Sequence, residues 1–398
     1  MVTKAENELM TRVGPGAPCG ELLRNYWMPV APAAELSDAK PKKRIRVLGE
    51  NLVLFRDGKG RYGLVEEQCR HRRASLYYGF IEDDGLRCPY HGWKFDVTGR
   101  CIEQPFEPKG TTPKPDAAQK AYPVESLGGI LFTYMGKGEP PLLPRWETLV
   151  RRDGLRNVVV LPVHKCNWLQ CQENSVDPTH TYYLHGHTLK LMGFDDRRTQ
   201  YYYRPIENYD FQLCEEKTWT GIRKIRTYGG DRPETETGHP MIFPNVLMNP
   251  QGPKLVTHWR TPIDDENTYI IMLEFSPSPD GAIVDQPVSD IATTYVPEPF
   301  LPNGEYNLAD FPPQDQMAWE TQGVIYDRSE EYLGHSDKGI VMFRRLLKRQ
   351  IEQVQAGQEP DGLIRDPALN ECISFTVSSG QAREARKMEE RKAASPAE

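Results

Sequence analysis

The stretch EEQCRHRRASLYYGFIEDDGLRCPYHGWKF (Glu66–Phe95) contains two short clusters of metal-binding side chains. Cys69 and His71 form the first cluster, and Cys88 and His91 form the second. Each cluster offers one thiolate and one imidazole, and sixteen residues separate His71 from Cys88. The repeated pairing of sulfur with nitrogen predicts that the two clusters together supply the four ligands of one metal centre.

The mixed composition of each cluster indicates which centre this is. Zinc fingers usually keep their two cysteines in one cluster and their two histidines in the other. A [2Fe–2S] cluster fits better if one iron takes both cysteines and the other takes both histidines, and the imidazoles then raise its reduction potential. Trp93 is expected to shield such a cluster from water. A structural zinc site is the alternative.

The whole chain sets the wider limits. With 398 residues it is long enough for two domains, and its formal net charge of -7 argues against a nucleic-acid partner. It has no apolar run of about eighteen residues and no apolar signal-peptide segment, so we expect no membrane association and no secretion. Eight widely spaced cysteines do not form a disulfide framework, which favours the cytoplasm.

The pattern along the chain predicts an α+β protein. Residues 25–145 alternate apolar and polar positions around turn signals, which is typical of a small antiparallel β domain. The pattern in residues 146–380 predicts a catalytic domain with an antiparallel sheet flanked by helices. A charged tail is expected at residues 381–398. A helix is expected to begin near Cys166. A second is expected to run from a cap at Ser336 to Gly357.

A second metal site is predicted in the larger domain. His180 and His185 lie five residues apart, so a helix with a slight irregularity would direct both rings at one ion. Two imidazoles and a carboxylate form the facial triad of non-haem iron oxygenases. Asp315, from FPPQDQMAWETQG, is the best candidate for the carboxylate, although a helix cap after two prolines is its alternative role. His187 is the alternative to His185.

Asp177 precedes His180 by three residues, so both project from about the same face of a helix. A carboxylate in this position can accept a hydrogen bond from a ligand imidazole and fix its tautomer. A cap or a surface acid is the alternative interpretation of Asp177.

Together these motifs resemble the α subunit of the Rieske non-haem iron aromatic oxygenases. The matching segments are Cys-x-His…Cys-x-x-His, Asp-x-x-His-x₄-His, QD…ETQG and the C-terminal helix. The resemblance implies that His180, His185 and Asp315 bind the mononuclear iron. It also implies that Asp177 connects the cluster of one subunit to the iron of its neighbour, in a head-to-tail homotrimer. The phthalate dioxygenase group, which includes O-demethylases of lignin-derived aromatic acids, is the most similar.

The expected activity follows from this resemblance. No dinucleotide-binding fingerprint is present, so electrons from NAD(P)H are expected to arrive through a separate ferredoxin or reductase. We expect O₂-dependent O-demethylation of a methoxylated, lignin-derived aromatic acid, with a biaryl of the dehydrodivanillate type as one candidate. Cis-dihydroxylation of a phthalate-like diacid, a non-catalytic Rieske electron carrier and a zinc-stabilised structural protein are the alternatives.

The substrate pocket is expected between positions 187 and 260. An apolar wall is predicted from GHPMIFPNVLM, with the side chains of Met241, Phe243, Val246 and Met248. A substrate carboxylate needs a cationic partner. The candidates are Arg197, Arg198, Arg204, Arg223 and Arg226.

Overall fold

The computed structural model describes residues 2–230, 233–249 and 254–375. The charged tail predicted at 381–398 lies outside these residues. Within the described ranges, no helix combines the length and apolar character needed to cross a bilayer.

The N-terminal part is a small domain of antiparallel sheets preceded by two short helices. A capping box at Thr3 starts the first helix. The helices are α1 (Lys4–Thr11) and α2 (Pro18–Leu23). The strands are β1 (Met28–Pro32), β2 (Lys42–Val47), β3 (Glu50–Arg56), β4 (Tyr62–Glu66), β5 (Phe80–Glu82), β6 (Gly85–Arg87), β7 (Lys94–Phe95), β8 (Cys101–Glu103), β9 (Ala121–Tyr122), β10 (Val124–Leu127) and β11 (Ile130–Thr133).

Three small sheets form this domain, in the orders β1-β11-β10, β2-β3-β4-β9 and β5-β6-β7-β8. The first Cys/His cluster lies in the loop between β4 and β5, and the second in the tight connection between β6 and β7. The sheet of short strands β5 to β8 therefore holds the second cluster, while β4, from the β2-β3-β4-β9 sheet, leads into the loop with the first cluster.

The C-terminal part consists of one large sheet with helices on it. Its helices are α3 (Glu147–Val150), α4 (Trp168–Asn174), a π-helix (Thr181–His187), α5 (Thr188–Leu191), α6 (Arg197–Tyr202), α7 (Phe311–Glu320) and α8 (Lys338–Gln355). Its strands are β12 (Gly154–Val160), β13 (Ile206–Glu215), β14 (Thr220–Tyr228), β15 (Glu234–Ile242), β16 (Val246–Met248), β17 (Leu255–Pro262), β18 (Thr268–Pro277) and β19 (Ala292–Tyr295).

The eight strands follow the order β13-β14-β15-β16-β17-β18-β12-β19. All neighbours are antiparallel except β12 and β19, which are parallel. The fold is thus the expected α+β arrangement, with one parallel edge pair that the alternation pattern does not predict. One hydrophobic core joins the two parts of the chain, because Leu54 and Leu22 belong to the same buried cluster as Trp168 and Phe343.

The predicted C-terminal helix is present with slightly different ends. It begins at Lys338 after Asp337, so Ser336 is not its N-cap. Gly357 follows its last turn with φ +77°, a left-handed conformation that glycine adopts at low cost. One face of this amphipathic helix buries Phe343, Leu347 and Ile351 in the shared core.

Candidate metal centres

The first candidate centre lies at the tip of the small domain. Cys69 and Cys88 are buried, whereas His71 and His91 are only partly buried. The two imidazole centroids are 4.6 Å apart. Trp93 stacks on His71 at 4.4 Å with an interplanar angle of 3° and covers one face of that ring. The thiols thus lie on the protein side of the site and the imidazoles on its outer side.

The loop backbone is arranged to stabilise negative charge on the sulfur atoms. The hydrogen bond with Cys69 lowers the pKa of Cys88 to about 6, and the amides of Tyr90 and His91 act in the same direction. The pKa of Cys69, by contrast, is raised by its hydrogen bond with Cys88 and by burial, although the backbone amides of His71 and Arg72 act in the opposite direction. Directed amides, two buried thiols and two adjacent imidazoles fit a [2Fe–2S] cluster ligated by two cysteines and two histidines.

A π-helix explains the five-residue spacing of the second site. A π-helix closes hydrogen bonds from residue i to i+5, so residues five apart lie above one another. His180 is the residue immediately before the π-helix Thr181–His187, and His185 lies within it. Their ring centroids are 5.3 Å apart. The π-helix therefore directs both imidazoles to the same side of the helix. It is the helical irregularity that the five-residue spacing predicts.

Asp315 completes a group of three possible ligands. It lies inside α7, whose N-cap is Asp310, so the cap interpretation of Asp315 is wrong. Its Oδ1 is 3.4 Å from Nε2 of His185. One ligand atom from each of His180, His185 and Asp315 lies within 4.8 Å of the other two. Asp315 Oδ1 is buried without a hydrogen-bond partner, a state that metal ligation would relieve, so the donor set fits iron(II).

A fourth side chain orients one of these imidazoles. Nδ1 of His185 is 2.7 Å from Oε1 of Gln314, and Nε2 of Gln314 donates to the carbonyl of Leu308 at 2.6 Å. The amide is therefore held with its oxygen toward the ring, which keeps the proton on Nδ1 and leaves Nε2 free. Sequence reasoning missed Gln314, although its position beside Asp315 was the available signal.

Asp177 lies between the end of α4 and the π-helix. Its Oδ1 accepts hydrogen bonds from the backbone amide and hydroxyl of Thr179, at 2.7 and 2.8 Å. Its Oδ2 lies 3.4 Å from Nδ1 of His180. Burial alone would raise the pKa of Asp177, but His180 and the Thr179 contacts outweigh it and hold this pKa well below its usual range. The carboxylate is thus oriented and ionised beside the first imidazole.

The alternative iron ligand and the residues predicted to form the apolar wall lie in other environments. His187 stacks on Tyr203 with centroids 5.8 Å apart and is not in the ligand group. Met241 is in the core shared by the two parts of the chain, and Met248 accepts a hydrogen bond from Thr257. Phe243 and Val246 line an apolar cavity to which none of the three candidate iron ligands contributes.

Most of the arginines predicted to bind the substrate carboxylate already contact other side chains of the protein. Arg204 pairs with Glu234 at 2.9 Å, and Arg198 contacts Asp310 at 3.4 Å. Arg197 is exposed, while the Arg223 guanidinium lies over the ring of Trp219. Arg226 is buried against Glu236 at 2.7 Å and reaches the Thr181 hydroxyl at 3.5 Å. Of these five arginines, Arg226 is the one that contacts the π-helix containing His185.

Comparison with known proteins agrees with this geometry. Residues 26–123 match the family described as Rieske [2Fe-2S] domain, and residues 300–395 match LigXa C-terminal domain like. The 5,5'-dehydrodivanillate O-demethylase oxygenase subunit of Sphingobium sp. is 39% identical over 94% of this chain and 86% of its own length. The phthalate 4,5-dioxygenase oxygenase subunit of Pseudomonas putida is 32% identical over 94% of this chain and 92% of its own length.

Solved structures share the fold. The terminal oxygenase of carbazole 1,9a-dioxygenase from Novosphingobium sp. KA1 superposes with a TM-score of 0.62 at 20% identity, over 88% of this chain and 99% of that one. The chain therefore belongs to the Rieske non-haem iron oxygenases, as an oxygenase subunit. It is an oxygen-incorporating oxidoreductase whose cofactors are a Rieske [2Fe–2S] cluster and a mononuclear iron.

Proposed function

We propose that this oxygenase O-demethylates a methoxylated aromatic acid with O₂ and electrons from a ferredoxin or reductase. The observation that carries the proposal is the 39% identity, over nearly the whole chain, to an O-demethylase oxygenase subunit. The balanced reaction is Ar–OCH₃ + O₂ + 2e⁻ + 2H⁺ → Ar–OH + HCHO + H₂O. Oxidation of the methyl carbon gives a hemiacetal, which collapses to formaldehyde and a phenol.

The proposal assigns the site residues as follows. Cys69, His71, Cys88 and His91 hold the cluster, and His180, His185 and Asp315 hold the iron. When bound, the cluster supplies single electrons and the iron supplies the position at which O₂ is activated. The short distances among the three candidate iron ligands and the unpaired Asp315 oxygen support this assignment.

The protein's own groups then prepare the site. Gln314 fixes the tautomer of His185, so that the ring presents its lone pair at Nε2. Trp93 covers His71 and keeps water from one face of that imidazole. Asp177 provides an ionised oxygen beside His180, and we assign it as the link through which electrons from a neighbouring subunit's cluster enter the iron site.

This role for Asp177 requires a second copy of the chain, and we include a head-to-tail homotrimer in the proposal. Among the described residues, no hydrogen bond or ring contact joins His71 or His91 to Asp177 within one chain. Both imidazoles are partly exposed and available to another subunit. A heterologous contact of this kind closes by rotation into a ring. Sedimentation equilibrium tests it, since a monomer would exclude the link.

We propose residues 25–145 as the Rieske domain, 146–380 as the catalytic domain and 381–398 as a tail. Unpaired cysteines support a reducing location in the cytoplasm, since all eight are free.

Product analysis tests the reaction. The reconstituted enzyme, with a surrogate reductase, would be given vanillate, syringate and 5,5'-dehydrodivanillate, and separately phthalate. We expect one formaldehyde and one phenol for each O₂ consumed with a methoxylated acid. Phthalate 4,5-dioxygenase, at 32% identity, makes cis-dihydroxylation of a phthalate-like diacid the second candidate. A cis-diol without formaldehyde would establish that candidate and overturn O-demethylation.

A further inference from the structure

The face of the large sheet that carries the helices also carries a row of buried cations. Side chains alternate along β17, so Trp259 enters the opposite core, whereas Arg260 lies on the face toward α7. On β14, Ile222 packs in the core beneath α8, and Lys224 follows it on the same face. The sheet thereby brings Lys224 and Arg260 to the side on which the candidate iron ligands lie.

Arg260 has a buried guanidinium without an anionic partner. The residue is 3% exposed, and its Nε and Nη1 atoms are buried with no hydrogen-bond partner. Its guanidinium carbon lies 5.9 Å from the ring centre of Trp319, one turn after Asp315 on α7. Burial lowers the pKa of Arg260 to about 10, and Asp315 acts in the opposite direction, so the two are within electrostatic range.

Lys224 is the second such cation. It is 6% exposed, and its ammonium makes no hydrogen bond or ion pair with the residues that the structure describes. Arg226, two positions along the same strand, differs because Glu236 neutralises it at 2.7 Å. Burial of Lys224 lowers its pKa to about 7, and both Arg260 and Asp177 contribute to its electrostatic environment. His258, on β17, adds a buried Nε2 that also lacks a partner.

Unpaired buried cations are costly, and proteins normally neutralise them. Here Arg260 interacts electrostatically with Asp315 and Lys224 with Asp177, and a partnerless imidazole nitrogen of His258 lies on the strand of Arg260. Arg260 offers the planar fork of donors that matches a carboxylate. We infer that Arg260 and Lys224 form the subsite that binds the carboxylate of the aromatic substrate and so direct its methoxy group toward the iron ligands, an inference that rests on the proposed function.

Binding without turnover tests this subsite. The oxidised holoenzyme, kept anaerobic, would be titrated with vanillate, syringate and 5,5'-dehydrodivanillate and with the methyl ester of each, by calorimetry. The unaltered enzyme is expected to bind at least one acid more tightly than its ester by about 10- to 100-fold, the scale of a charge-assisted hydrogen bond. Equal affinity for acid and ester, or no binding of any acid, would overturn the subsite.

Four substitutions locate the effect. Arg260→Gln and Lys224→Met should each weaken binding of the acid by about 10- to 100-fold and leave binding of the ester unchanged, while Arg260→Lys should lose less. Lys254→Met removes a cation that immediately precedes β17, the strand of Arg260, but Lys254 is already paired with Glu274 at 2.9 Å, so this variant should bind the acid normally. Unchanged acid affinity in both Arg260→Gln and Lys224→Met would contradict the assignment. The acid-to-ester comparison remains decisive if a variant fails to fold.

The subsite and the reaction fail in different ways. If acids bind through Arg260 but turnover gives a cis-diol, the carboxylate subsite stands and O-demethylation is wrong. If formaldehyde forms and Arg260→Gln binds the acid normally, O-demethylation stands and the subsite is wrong.

Discussion

Oδ2 of Asp177 lies 3.4 Å from Nδ1 of His180, while Oδ1 of the same carboxylate is held by the Thr179 amide at 2.7 Å. One oxygen thus fixes the side chain and the other faces the imidazole. The geometry separates the role of Asp177 from metal ligation, since its contact is with the ring nitrogen rather than with the group of three ligand atoms.

Asp177→Asn should retain both metals and lose turnover. An amide keeps the shape of the side chain but removes the charge beside His180, so we expect turnover to fall by about 100-fold. Metal analysis and the iron–sulfur EPR signal should match the unaltered enzyme. Asp195→Asn, which changes an exposed acid paired with Lys190, is the control. Loss of mononuclear iron from Asp177→Asn would contradict the role of Asp177 as an electron link, because the missing metal would then account for the lost turnover.

Asp315→Ala should empty the mononuclear site and leave the cluster in place. The substitution removes the only carboxylate in the group of three, while the cluster ligands lie in another domain. Iron analysis should lose one iron per chain, and the red-brown absorption should persist. Asp310→Ala, at the N-cap of the same helix, should keep its iron. Full occupancy in Asp315→Ala would mean that another acid is the ligand.

Gln314→Leu should weaken iron binding without removing a ligand. Leucine fills a similar volume but cannot accept the Nδ1 proton of His185, so the ring loses its fixed tautomer. We expect about a 10- to 100-fold loss of iron affinity in competition with a chelator. Gln314→Glu, which still offers an acceptor, should bind iron more tightly than the leucine variant. Equal affinity in the unaltered protein and Gln314→Leu would exclude this orienting role.

Glu173→Gln should lower the free energy of unfolding by about 3–5 kcal/mol, because Arg328 loses its carboxylate partner and buried Arg344 keeps only Glu331. Arg328 and Arg344 both donate to this carboxylate, at 2.9 and 2.6 Å. Although burial would raise the pKa of Glu173, these arginines lower it below its ordinary 4.5. The carboxylate's contribution is therefore complete above pH 4.5 and is lost as pH falls through the lowered pKa.

Urea unfolding at several pH values measures this effect. The difference between the unaltered protein and Glu173→Gln should shrink below about pH 4. Glu8→Gln, which breaks an exposed pair with Arg12, should cost less than about 1 kcal/mol. A difference that grows on acidification would contradict the sign of this pKa shift.

Carboxylate binding should weaken above pH 7 as Lys224 loses its proton. The charged groups around this ammonium are Arg226 on its own strand, Glu236 and His239 on β15, Arg260 on β17 and Asp177 before the π-helix. Because burial places the pKa of Lys224 at about 7, the acid's affinity should fall by about tenfold between pH 6.5 and 9. Calorimetry should show no such fall in Lys224→Met. The same pH dependence in that variant would assign it to another group.

Local patterns were sufficient for much of this site. The Cys/His clusters and the five-residue spacing of His180 and His185 are short-range features, and each has a direct stereochemical meaning. The position of Asp315 inside a helix could not be predicted from the local pattern, because the segment FPPQD is also typical of a helix start. The structure resolves it by placing the cap five residues earlier, at Asp310.

Long-range features were harder to predict. Arg260 and Lys224 lie on different strands, and only the register of β14 to β17 brings them to one face. Composition favoured the apolar run from Met241 to Met248 as a substrate wall, but all four predicted side chains pack in the hydrophobic cores, and Phe243 and Val246 also line a separate cavity. The position of Gln314 beside Asp315 was the one sequence signal for it, but its role depends on a contact with His185, 129 residues away along the chain.

The π-helix also restricts which insertions and deletions this protein can accept during evolution. An insertion or deletion in most helices moves later residues around the axis and is absorbed by the next loop. Between His180 and His185, removing one residue would restore ordinary helical winding and turn the second imidazole by about 100°. The number of residues between the two histidines therefore determines whether both rings can bind one ion. Natural drift and directed evolution can change the identity of the residues between them far more freely than the number of those residues.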